Sequence, residues 1–130
     1  MTENVKKVFN ENTWYIATCG EEPKVVPVGF KCIGEDGTFN IACVLMDTTV
    51  KNIQANGMVA IAAADPATAE AYQVKGKAKF VTEGPIYDYF VKLAEDTFKG
   101  AFPTKCIVEV TPEKLIVATP GPDNKKELPL

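Results

Sequence analysis

The chain of 130 residues contains neither histidine nor arginine. Without histidine it lacks a Ser/His/Asp or Cys/His nucleophile system, a histidine metal site and a histidine haem ligand. Its four cysteines, Cys19, Cys32, Cys43 and Cys106, include no Cys-x-x-Cys pair, so the spacing of a zinc or iron–sulfur site is also missing. These absences leave chemistry carried by a bound cofactor, by carboxylates, lysines or cysteines, or no chemistry of the chain's own.

Charge and hydropathy exclude further classes of partner. The formal net charge is −3, which does not suit a protein that covers a phosphate backbone. No apolar run approaches the roughly twenty residues of a membrane span. The amino terminus lacks the apolar segment of a signal peptide. We therefore expect a cytoplasmic protein that binds neither nucleic acid nor membrane.

The cysteines allow two interpretations. Each thiol lies in or beside an apolar run, which favours reduced, mostly buried side chains that act as small hydrophobic groups. The alternative is a cluster of thiols across neighbouring strands. The sequence leaves both open.

Periodicity and turn signals predict a β-rich chain. Helices are predicted over residues 2–12, 47–57 and 85–100. Strands are predicted over residues 13–19, 24–33, 38–45, 58–64, 70–83, 106–110 and 115–118, with the first three forming a meander. Seven strands that mostly follow one another as hairpins indicate a single-domain, mainly β, antiparallel small barrel with two to three short helices at its ends.

Two segments are candidates for a ligand site. Residues 47–52 supply hydroxyls, a lysine and free helix-start amides at a strand-to-helix junction, which favours a phosphate. The alternative is simple helix capping by Asp47 or Thr48. Residues 26–29 form an irregular strand with proline and glycine, typical either of a wall that a flat ligand approaches or of a protected edge strand.

The order of these pieces resembles one family, the FMN-binding split barrels related to pyridoxamine 5′-phosphate oxidase. The resemblance runs from Val5 to Thr119. It rests on six loosely matching segments in a specific order: residues 16–18, 23–30, 38–42, 48–53, 58–61 and 72–78.

The resemblance implies an antiparallel split β-barrel over residues 1–119, followed by a C-terminal tail over 120–130. It implies FMN as cofactor, bound at the interface of a homodimer. Residues that would hold the FMN phosphate are Thr48, Thr49, Lys51 and Asn52. Residues that would line the isoalloxazine ring are Pro27, Val28, Gly29, Ala42, Cys43 and Val44.

The chain departs from the oxidase itself in two places. The phosphate junction has Lys51 but no arginine, and the carboxy-terminal arginine and histidine motif that binds substrate in the oxidase is absent. The resemblance is therefore to the small bacterial FMN-binding proteins of the same superfamily, and vitamin B6 oxidation is not expected.

Three hypotheses for the function remain, of which the first two rest on this resemblance. The first is an FMN-dependent oxidoreductase or electron carrier that takes electrons from a reduced pyridine nucleotide or a redox protein. The second is a module that holds a flavin, a deazaflavin or haem without turnover. The third is a cofactor-free β-barrel that acts only through protein contacts.

Overall fold

The computed structural model describes residues 1–130 and contains three helices and one antiparallel sheet. The helices are α1 (Glu3–Glu11), α2 (Thr48–Asn56) and α3 (Pro85–Phe98). The strands are β1 (Trp14–Thr18), β2 (Lys24–Val28), β3 (Lys31–Ile33), β4 (Phe39–Cys43), β5 (Met58–Ala64), β6 (Ala71–Val81), β7 (Cys106–Val117) and β8 (Glu127–Leu128). The predicted mainly β, single-domain class is confirmed.

The sheet is curled into a split barrel. Its strand order is β2-β1-β5-β6-β7-β4-β3, with β8 paired to β7. The edge strands β2 and β3 are consecutive in the chain and are separated only by Gly29 and Phe30. Three Cα steps span at most about 11 Å, so the two edges must approach each other. The amide of Ala42 donates to the carbonyl oxygen of Phe30 at 3.0 Å, which holds the crossing segment against β4.

The prediction of one strand over residues 24–33, and of a three-stranded meander, is wrong. The chain leaves β2 after Val28, and β3 begins at Lys31 on the other edge of the sheet. Strand β2 pairs only with β1, and β3 only with β4. Pro27 is compatible with this arrangement because an edge strand tolerates a residue that cannot donate a backbone hydrogen bond.

The two final predicted strands form one continuous strand, β7. The segment around Pro112 does not turn. The pairing steps from Lys75–Lys114 to Gly76–Pro112, so Glu113 is an extra residue and forms a bulge in β7. The C-terminal tail also takes part in the sheet: Leu128 of β8 lies opposite Leu115 of β7.

The main hydrophobic core fills the inside of the curled sheet, and α1 closes one end of it. Phe9 of α1 stacks edge-to-face against Trp14 and Phe39, with ring centroids 6.0 and 5.0 Å apart. The carbonyl oxygen of Phe9 accepts from Trp14 Nε1 at 2.7 Å and from Lys31 Nζ at 3.0 Å. Partial burial lowers the pKa of Lys31, whose ammonium lies 4.7 Å from the centre of the Trp14 ring.

A second, smaller core lies on the outer face of the sheet, where α3 packs. Phe90 of α3 contacts Ala42 of β4 and Ile107 of β7, and all three are buried. Thr104 Oγ1 donates to the carbonyl oxygen of Phe90 at 3.2 Å. These contacts hold α3 beside β4, next to the start of α2. None of the three helices is both long and apolar enough to cross a membrane.

We expect Gly76→Ala to lower the free energy of unfolding by about 1–3 kcal/mol, because overpacking a tight site costs about that much. A Cβ at Gly76 would collide with the carbonyl group of Thr111 on the neighbouring strand. Urea denaturation measures the change. Gly29→Ala is the matched control, since a Cβ there meets nothing within 4 Å. Equal stabilities of the two variants would contradict the close approach of β6 and β7.

Candidate functional site

A cleft of about 640 Å³ opens where the end of β2, the end of β4, the start of α2 and the end of α3 meet. Its volume lies in the range of small-molecule sites, roughly 300–1,000 Å³. Nine of its fifteen lining residues are hydrophobic. The lining residues are Lys24, Val26, Pro27, Val28, Gly29, Phe30, Ala42, Val44, Leu45, Met46, Asp47, Thr48, Thr49, Phe98 and Phe102.

Two chain segments form the apolar walls that the sequence predicted. Pro27, Val28 and Gly29 come from the end of β2, where the chain crosses to the other edge of the sheet. Ala42 near the end of β4 and Val44 just beyond this strand both line the cleft. The space beside Gly29 is open, so its backbone is accessible from the cleft.

An aromatic wall completes the cleft on the α3 side. The rings of Phe30 and Phe98 are 5.4 Å apart, and those of Phe98 and Phe102 are 5.2 Å apart and perpendicular. These rings are not among the predicted site residues, because an aromatic residue at helical spacing, such as Phe98, is more typical of a core than of a ligand site. The available sequence signal is Phe102, an aromatic residue beyond the predicted end of the helix, and the structure leaves its side chain exposed.

The polar end of the cleft is the start of α2. Asp47 precedes the helix but makes no side-chain capping bond, and the first intrahelical bond is from the Lys51 amide to the Asp47 carbonyl at 3.0 Å. The amides of Thr48, Thr49 and Val50 therefore have no partner within the helix, and they form the positive end of its dipole.

Charged groups of both signs surround this helix start. Lys51 Nζ lies 3.7 Å from Asp47 Oδ1, and both side chains are largely exposed. Thr48 Oγ1 donates to Glu22 Oε1 at 3.3 Å. Lys24 lines the cleft, although in the sequence it resembles an ordinary surface lysine, whereas Lys51 lies outside the lining and borders a separate polar cavity. An anion would meet two ammonium groups here as well as two carboxylates.

Asn52 sits beside the cleft instead of in its lining. Its buried side chain donates from Nδ2 to Thr18 Oγ1 at 3.1 Å and to the carbonyl oxygen of Glu22 at 3.0 Å. Together with Lys51 and Thr48 it borders a separate polar cavity that also contains Glu21 and Glu22. In this structure Asn52 ties α2 to the β1–β2 turn.

Cys43 does not line the cleft. It lies between Ala42 and Val44 in the sequence, so strand alternation turns it to the opposite face, into the main core. There it is directly opposite Cys106 of β7. Cys19 is exposed, while Cys32 and Cys106 are partly buried. The cross-strand interpretation therefore applies to one pair.

Solved structures with a similar fold come from several proteins. HupZ from Group A Streptococcus superposes with a TM-score of 0.80 at 24% identity, covering 95% of this chain and 98% of that chain. An FMN-binding protein from Syntrophomonas wolfei subsp. wolfei has a TM-score of 0.76 at 18% identity, covering 88% and 84%. An F420 reductase has a TM-score of 0.66 at 22% identity, covering 88% and 98%. At these identities the likeness shows the fold.

No curated protein matches the chain in sequence. A model of the family described as pyridoxamine 5′-phosphate oxidase matches residues 1–118, which include all three helices and strands β1 to β7. This match confirms the resemblance inferred from the order of the sequence segments. The chain belongs to the pyridoxamine 5′-phosphate oxidase family.

Proposed function

We propose that the protein binds FMN in the cleft, as a homodimer, and acts as an oxidoreductase or electron carrier. The observation that carries this proposal is one continuous cleft with an apolar slot at one end and an uncapped helix start at the other. FMN is likewise divided into a flat ring system at one end and a charged phosphate at the other, joined by a ribityl chain. The FMN-binding protein from Syntrophomonas wolfei supports this choice of cofactor.

The apolar part of the cleft fits the ring system. Pro27, Val28 and Gly29 would face it from one side, and Ala42 and Val44 from another. Phe98 and Phe102 add aromatic surface at the α3 side. Such a slot needs only a few main-chain groups to orient a flat ligand. The F420 reductase neighbour makes a deazaflavin the alternative ligand for the same slot.

The helix start would hold the phosphate. A dianion there would accept hydrogen bonds from the free amides of α2 and from the hydroxyls of Thr48 and Thr49. Lys51 would turn from Asp47 towards the phosphate, at small cost because an exposed ion pair contributes only about 0–1 kcal/mol. Asn52 would position this segment through its contacts with Thr18 and Glu22.

A bound flavin supplies the redox chemistry, accepting electrons from a reduced pyridine nucleotide or a redox protein. With no histidine in the chain, its own residues bind and orient the flavin and exclude water from the ring. Oxidation of vitamin B6 is not part of the proposal. We place the activity in the cytoplasm, where free cysteines are reduced at the resting glutathione poise and structural disulfides are rare.

The outer face of β2, β1 and β5 would form the dimer interface. Tyr15, Val25 and Met58 are 51%, 61% and 44% exposed, and the strand register places Pro27 and Ala62 beside Tyr15 on the same face. Exposed apolar patches of this kind mark interaction surfaces. Because Pro27 also lines the cleft, a second chain on this face would lie next to the bound flavin.

The phosphate assignment predicts that Thr49→Ala combined with Lys51→Ala weakens FMN binding by about ten- to a hundredfold, the loss expected for one or two hydrogen bonds to a charged group. Riboflavin has the same ring but no phosphate, so its affinity should change little. Fluorescence titration of both ligands on both proteins measures the effect.

Lys7→Ala, an exposed lysine on α1, is the control and should leave both affinities unchanged. An unchanged FMN affinity in the double variant would refute the phosphate assignment. An equal loss for riboflavin would show that the substitutions disturb the cleft as a whole.

The interface assignment predicts that Val25→Lys shifts the protein from dimer to monomer in sedimentation velocity, because burying an unpaired ammonium in an apolar contact is costly. Tyr89→Lys is the matched control, since Tyr89 is similarly exposed but lies on α3. A Val25→Lys protein that remains dimeric would contradict this interface.

Turnover separates a redox protein from a storage module. Stopped-flow absorbance should show bleaching of the flavin bands by a reduced pyridine nucleotide or a reduced redox protein, and reoxidation by an added acceptor. A flavin-loaded protein that accepts no electrons from either donor would favour the non-catalytic module.

A further inference from the structure

We propose that Cys43 and Cys106 are a site of reversible disulfide formation across β4 and β7, oxidised by small disulfides of the glutathione class. The site is inside the barrel, and its existence does not depend on the proposed cofactor.

The strand register places the two residues for bonding. Cys43 is directly opposite Cys106 in the antiparallel ladder, so both side chains leave the sheet on the same face. Opposed residues in such a ladder have Cα atoms about 4.5–5.5 Å apart. Disulfides accept Cα separations of about 4.4–6.8 Å. The register therefore already brings the two thiols to a separation that a disulfide can span, without rearrangement of the strands.

The two thiols differ in reactivity and in access. The adjacent Cys106 thiol, helped by the nearby charge of Lys105, lowers the pKa of Cys43 to about 7, while the same neighbour and burial raise the pKa of Cys106. Cys43 is buried and Cys106 only partly so. Cys106 is therefore the more accessible residue of the pair, and Cys43 forms its thiolate more readily.

The exchange proceeds in two balanced steps. The Cys43 thiolate takes the proton of Cys106, and the Cys106 thiolate so formed attacks one sulfur of the small disulfide; the small S–S bond breaks and one small thiolate leaves. This thiolate takes the proton from Cys43, and the Cys43 thiolate attacks the Cys106 sulfur of the mixed disulfide, so that the second small thiolate leaves and is protonated by water. In total the protein pair loses two electrons and forms one S–S bond, and the small disulfide becomes two thiols.

The remaining cysteines have no such partner. Cys32 on β3 is opposite Asn40, and the exposed Cys19 follows β1 near the other edge of the sheet order. Cys19→Ser/Cys32→Ser therefore isolates the pair. Cys43→Ser/Cys106→Ser, which keeps the other two thiols, is the matched control.

The test measures disulfide formation at equilibrium in glutathione buffers of fixed composition. Acid quenching, alkylation and mass spectrometry count the oxidised pairs of Cys19→Ser/Cys32→Ser, folded in buffer and unfolded in concentrated urea. An unconstrained pair has an effective concentration in the millimolar range, and we expect the folded pair to exceed the unfolded one by at least about tenfold. The control variant should form no intramolecular disulfide.

Equal or weaker disulfide formation in the folded protein would overturn the proposal. So would oxidation that stops at a glutathione adduct of Cys106, or that links two chains. If the serine variant does not fold, peptide mapping of the oxidised natural chain decides the same question: a Cys43–Cys106 cross-link supports the site, and its absence refutes it.

Discussion

The structure depends on the short crossing between β2 and β3. These strands form opposite edges of the sheet, yet only Gly29 and Phe30 separate them in the chain. The sheet must therefore curl, and the curl creates both the closed interior that holds the main core and the cleft at its rim. Gly29 and Phe30 line the same cleft, so closure of the barrel and formation of the site are one event.

A second constraint fixes where the polar end of the cleft lies. The buried amide of Asn52 connects α2 to Thr18 and to the carbonyl of Glu22, and Gly20 leaves room for it because any Cβ there would collide with the Asn52 side chain. This contact sets the start of α2 against the β1–β2 turn. The buried Asn52 side chain thus fixes the position of the free amides at the start of α2. The side chains of Lys51 and Asp47 remain exposed and can change conformation.

The sequence predicted the elements with strong local signals, including all three helices and the strand at β5. It failed where the structure depends on pairing between strands that are far apart in the chain. Residues 24–33 are mostly apolar and β-branched, and nothing local shows that the two halves join opposite edges of the sheet. Pro112 indicates a turn, but β7 continues through it by a bulge at Glu113.

Within the candidate site, the segments were found more reliably than the side chains. Pro27, Val28, Gly29, Ala42, Val44, Thr48 and Thr49 all line the cleft. The resemblance also implies Cys43, between Ala42 and Val44, but a strand presents alternate residues to each face and Cys43 lies in the main core. Phe98 and Lys24 were missed since a helical aromatic is typical of a core and a lone lysine of a surface. Their roles follow only from the positions of α3 and β2.

The most direct test of the central claim is the absorption spectrum of the protein after incubation with FMN and removal of free ligand by gel filtration. The account predicts flavin bands near about 370 and 450 nm that elute with the protein at one FMN per chain. A protein that retains neither FMN nor a deazaflavin under these conditions would contradict it.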